Sequence, residues 1–145
     1  KLSGIIAGGG FVKEYLAVAE GVPEAVTGHF EDLLFKDSRK NKSFVVKRER
    51  KGVRKAALDY SVVAEDGGHS LVRIRLGTGR SHQIRVQFAS RKMPLCGDGK
   101  YGSRDNGCTV ALWSESVGFE LDGKSYSFKS SPDFSKYPWN LFKEP

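Results

Sequence analysis

Cysteine is scarce, with only Cys96 and Cys108 in 145 residues, too few for a disulfide framework. That points to a reducing compartment, and a cytoplasmic protein is expected. No apolar run approaches the roughly 20 residues that a bilayer span requires, and the N-terminal stretch lacks the pattern of a signal peptide, so no membrane partner is expected. The three histidines, His29, His69 and His82, and the two cysteines show no zinc-ligand spacing, and no metal site is expected. Prolines number five, and neither an internal repeat nor a low-complexity linker is visible. Acids are outnumbered, 17 against 24 Lys plus Arg, for a formal charge of +7.

The surplus is local. Between Lys36 and Lys55 there are ten Lys or Arg and only two acids, Asp37 and Glu49. A basic patch of that density fits a polyanionic partner, most simply nucleic acid, although many charge runs are only solvated surface. Arg48, Arg50, Lys51 and Arg54 are its candidate phosphate contacts. The rest of the composition, 39% hydrophobic and 28% charged, is that of one globular domain.

Strand signals dominate. "FVKEYLAVAEG" (11–21), "GHFEDLLF" (28–35) and "SFVVKRER" (43–50) read as strands. "AALDYSVVAEDGGHSLVRIRL" reads as a hairpin turning at Asp66-Gly67-Gly68. In its second arm Val72, Ile74 and Leu76 alternate with Arg73 and Arg75, giving one apolar and one basic face. "TVALW" is a short buried-strand candidate, and "VGFELDGKSYSFKS" is a second hairpin around Asp122-Gly123. The aromatic tail "SPDFSKYPWNLF" is expected to pack down irregularly, and "AGGGF" to form a loop. The expected fold class is therefore α+β, a mixed, mostly antiparallel sheet with one or two short helices.

The densest chemistry lies in "LGTGRSHQIRVQF", from Leu76 to Phe88. A helix is expected from about Ser81 to Arg91, with Ser81 as N-cap and Ile84 and Phe88 as an apolar i,i+4 pair. Arg80 and the first helical amides would then form an anion-facing corner. A serine hydrolase reading of Ser81-His82 fails, because sequence neighbours rarely form a triad and no nucleophile elbow is present. Tyr15, on a strand, would ordinarily be half-buried core.

"LGTGRSHQIRVQFASRKMPLCGDGKYG" resembles the C-terminal signature of the RluA-type pseudouridine synthases, roughly L-x-TGR-S/T-HQ-I/L-RVH-x-A followed by P-I/L-x-GD-x-x-YG. The upstream "VKEYLAVAEG" is similar to that family's K-x-Y-x-A strand, and the likeness extends over nearly the whole chain. It implies an enzyme that isomerises uridine to pseudouridine in structured RNA, ribosomal or transfer, after flipping the base from its helix, with neither cofactor nor metal. On this likeness Tyr15 would stack on the target base, Arg80 would pair with the catalytic aspartate, and Leu95 would be an apolar contact beneath the uracil. His82, Gln83 and Arg85 would complete the substrate site. A flipped base wants an aromatic face and an apolar floor, and an arginine holds a carboxylate ionised.

Two departures stand out. Gln87 occupies the place of the family's RVH histidine. The HRLD motif carrying the family's nucleophilic aspartate does not occur, and the fourteen residues before Tyr15 contain no aspartate. The chain is accordingly expected to be the C-terminal part of one catalytic domain, inactive alone, with a non-catalytic RNA-binding module as the alternative. A small enzyme taking a phosphorylated metabolite at the glycine turn is a third reading.

Overall fold

A computed structural model describes residues 11–145. The glycine run 8–10, expected as a loop, lies outside the described residues. Seven strands form one sheet: β1 (Phe11–Glu20), β2 (Thr27–Asp37), β3 (Lys42–Val46), β4 (Val53–Asp66), β5 (His69–Leu76), β6 (Leu112–Leu121) and β7 (Lys124–Lys129). Their order is β3-β2-β4-β5-β1-β6-β7. Every neighbouring pair of these strands is antiparallel, which places the sheet in the expected, mostly antiparallel class. One α-helix among the described residues, α1 (Gln83–Ser90), packs on one face.

Both hairpins turn where the glycines stand. Gly67 and Gly68 have φ of +56° and +87°, and Asp122 and Gly123 have +53° and +75°. Two consecutive left-handed residues are what a two-residue turn between twisted strands requires. The third strand is shorter than expected. It ends at Val46, because the charges of "KRER" have no apolar layer to alternate with, and residues 47–52 form an exposed loop. "TVALW" likewise joins the sheet only from Leu112.

Pleating divides the core. On the helix side Ala17, Ala19, Phe30, Leu58, Val72 and Ile74 meet Ile84 and Phe88 of α1. Phe30, Tyr60 and Phe88 form an aromatic cluster there, with ring centroids 4.9, 5.1 and 6.3 Å apart. On the opposite face Leu16, Val18 and Leu71 are covered by Trp139 and Phe142 of the tail, which packs down as its composition predicts. Cover on both sides explains why "LAVA" in β1 is contiguously apolar, with all four residues sealed from solvent.

The start of α1 differs from the expectation. Ser81 is not the N-cap. His82 holds that position at φ 53°, and no side chain caps the helix. The Ser81 carbonyl instead accepts a hydrogen bond from the Ser43 hydroxyl of β3 at 2.9 Å, which draws the residue toward the sheet edge.

Candidate active site

The glycine turn after β5 is a staple. Gln83, almost fully buried, takes hydrogen bonds at Oε1 from the Thr78 hydroxyl (2.8 Å) and the Arg80 amide (3.0 Å). Its Nε2 donates to the Ala57 carbonyl of β4 at 2.9 Å. Gly77, Thr78 and Gln83 thus dock one turn onto one carbonyl, and the turn's shape is set before any ligand arrives.

Beside this turn opens a cleft of about 280 Å³. Tyr15 of β1, Leu76 of β5, Leu112 of β6 and Ile84 of α1 give it apolar walls, and Arg80, His82, Gln83 and Arg85 give it polar ones. The volume lies just below the ~300–1,000 Å³ usual for small-molecule sites, so the cleft suits a small ligand. Tyr15 and Arg80 therefore face one space.

Arg80 is only partly anchored. Its Nε donates to the Lys55 carbonyl at 2.8 Å, and its two terminal nitrogens have no partner among the described residues. No carboxylate lines the cleft among the described residues. Burial raises the Tyr15 phenol above its ordinary pKa, so at neutral pH it is a protonated ring suited to stacking and hydrogen-bond donation. Glu14, its strand neighbour, lies on the other face and pairs with Arg75 at 2.8 Å. The glutamate cannot serve this cleft.

The remaining expected site residues divide. His82 Nδ1 is hydrogen-bonded to the Tyr101 hydroxyl at 2.8 Å, and that hydroxyl receives the Ser43 amide at 2.8 Å. Burial first, and then Arg85, lower the His82 pKa below the usual histidine value, so the ring is neutral at neutral pH. Arg85 lines the cleft, but its fork is taken by the fully buried Asp98 in two bonds of 2.9 and 2.8 Å. Its guanidinium also lies 5.1 Å from the Tyr101 ring centre. Gln83 and Arg85 are thus framework first.

Leu95, which the resemblance places beneath the uracil, is 0% exposed and is not among the residues that line the cleft. A bridge to Ala19 of β1 pulls it into the apolar cluster against which Tyr15 and Leu112 pack, so it supports the floor without touching its surface. Gln87 is also sealed, with its amide donating to Asp32 at 2.9 Å and its Oε1 unpaired.

Arg48, Arg50, Lys51 and Arg54 are all exposed, on the 47–52 loop and the start of β4. Arg50 lies over the Phe35 ring at 4.4 Å. The basic segment adjoins the cleft rather than lining it: the Lys55 carbonyl accepts from Arg80 Nε, and the Ser43 hydroxyl of β3 donates to the Ser81 carbonyl.

Comparison with known proteins adds to this geometry. A family model described as RNA pseudouridylate synthase matches residues 1–90. Ribosomal large subunit pseudouridine synthase D of Borreliella burgdorferi is 31% identical over 118 residues, which cover 81% of this chain and 36% of that protein. An uncharacterized RNA pseudouridine synthase of Zymomonas mobilis is 38% identical over 104 residues, 71% of this chain and 47% of that one. The chain spans less than half the length of these curated relatives. Among solved structures, human RNA pseudouridylate synthase domain containing 1 superposes with a TM-score of 0.75 at 20% identity, covering 89% of this chain and 58% of that one.

Proposed function

The chain belongs to the RNA pseudouridylate synthase family, and from that membership we propose that it forms the C-terminal part of a catalytic domain isomerising uridine in structured RNA, ribosomal or transfer, in the cytoplasm. One observation carries the reading: Tyr15 and Arg80 line one small cleft in which Arg80 keeps two unpaired terminal nitrogens and no carboxylate is present among the described residues.

In this reading a flipped uracil lies against the Tyr15 ring, with Leu76, Ile84 and Leu112 excluding water beside it. The isomerisation needs a nucleophile to carry the ribose or the base while the C–N glycosidic bond breaks and the C5 bond forms. The C5 proton then leaves. Arg80 is placed to keep a carboxylate ionised next to that ring, a carboxylate that the described lining of the cleft does not supply. Leu95 stiffens the floor, and Gln83 and Arg85 hold the walls. The neutral His82 offers its ring toward the base edge. The exposed Arg48, Arg50, Lys51 and Arg54 guide the RNA backbone toward Arg80 through Lys55.

The 145-residue chain alone is then an RNA-binding unit without turnover. RNA carrying uridine tritiated at C5 tests this, since isomerisation releases the label to water. The chain should bind RNA and release no label. Release at the rate of a longer family member would place a nucleophile within these residues and overturn the division of labour.

A further inference from the structure

A second cluster stands at the far end of β5 from the cleft. His69 begins that strand and Leu76, a cleft residue, ends it, which separates the two sites by roughly 23 Å at the usual rise per strand residue. Here one ligand atom each from His69, Cys96 and Asp105 lies within 4.8 Å of the others. Cys96 Sγ is 3.2 Å from Asp105 Oδ2 and 3.8 Å from Cys108 Sγ. Two thiolates on one tetrahedral zinc lie about 3.8 Å apart, because each Zn–S bond is about 2.3 Å long.

Neighbouring groups hold these ligand atoms in place. The Tyr137 hydroxyl donates to Asp105 Oδ2 at 2.5 Å and the Gly107 amide to Oδ1 at 2.7 Å, which fixes the carboxylate. Cys96 is sealed from solvent and tied by its amide to the Val18 carbonyl of β1 at 2.8 Å. Gly97 closes the loop between the cysteines. Its φ is +82°, and a Cβ there would lie 2.6 Å from the Cys108 carbonyl oxygen and 2.4 Å from that of Thr109. No hydrogen bond among the described residues occupies the His69 ring. Spacing could not have found this cluster, since His69 comes from a hairpin and eleven residues separate the cysteines.

We infer that His69, Cys96, Asp105 and Cys108 form a structural site for one thiophilic divalent cation of the zinc class. Binding exchanges the two thiol protons for the ion, with His69 neutral and Asp105 ionised, and no electron is transferred. The ion ties the loop after Leu95 to the β4–β5 hairpin and, through Tyr137, to the tail.

The test is equilibrium dialysis of the reduced 145-residue chain against zinc, with cobalt(II) as a spectroscopic probe. One equivalent of zinc should be held with a Kd below about 1 μM. The cobalt form should show thiolate charge-transfer and tetrahedral d–d bands. His69→Ala and Cys108→Ser should each weaken binding at least about tenfold with the far-ultraviolet circular dichroism unchanged. If Cys108→Ser loses the native spectrum, the His69→Ala variant decides, since His69 is only partly buried. A reduced chain that holds no zinc overturns the inference. So does cobalt binding without charge transfer, or affinity indifferent to His69.

Discussion

Removing Arg85 should cost more stability than removing the acid it pairs with. The Asp98 side chain is 0% exposed and that of Arg85 is 21% exposed. Arg85→Met strands a carboxylate where water cannot reach it, and breaking a buried pair from one side typically costs about 3–5 kcal/mol. Asp98→Ala leaves the guanidinium instead, which already meets solvent and rests against Tyr101 at 5.1 Å. It can rehydrate, so about 2 kcal/mol is expected. The double variant should cost well under the sum, near 3 kcal/mol, because neither charge is then left alone. For a chain of this length total stability is roughly 7–20 kcal/mol, so each loss is measurable. Urea unfolding followed by circular dichroism reads all three. Equal penalties for the two single variants, or strict additivity, would refute the reasoning.

Two further outcomes follow from the site. Neutralising Arg48, Arg50, Lys51 and Arg54 together should flatten the salt dependence of RNA binding by roughly 0.7–0.9 in log–log slope for each phosphate left without its cation, on unrelated RNAs alike; an unchanged slope in filter binding would make the segment solvated surface. The depressed His82 pKa gives stability that is present above the ordinary histidine value and lost as pH falls through the lowered one, so His82→Gln should flatten the acid side of the urea midpoint–pH curve, and a variant curve parallel to wild type would contradict the assignment.

Much of the architecture was legible because local chemistry and global fold agree. Gly67-Gly68 and Asp122-Gly123 announce their turns, and the alternation in β5 sets its register. The end of β3 was less legible: "SFVVKRER" continues in β-compatible residues, and only the lack of a layer to pack on stops it at Val46. The cleft pair Tyr15 and Arg80 was readable through motif context. The employment of the residues around it was not, because Gln83, Arg85 and Leu95 are claimed by Ala57, Asp98 and Ala19, partners far away in sequence. The cluster at His69 was invisible for the same reason. Three separate chain segments deliver its ligands, and no spacing rule spans them.

The most direct test of the proposed mechanism is tritium release by a complete family catalytic domain that contains this chain, comparing wild type, Arg80→Lys and Arg80→Ala at saturating RNA. A guanidinium that holds the nucleophilic carboxylate predicts that Arg80→Ala loses nearly all release, by at least about a thousandfold, while RNA affinity changes little, and that Arg80→Lys recovers part of it. Near-wild-type release by Arg80→Ala would show that the cleft beside Tyr15 is not where the glycosidic bond is broken.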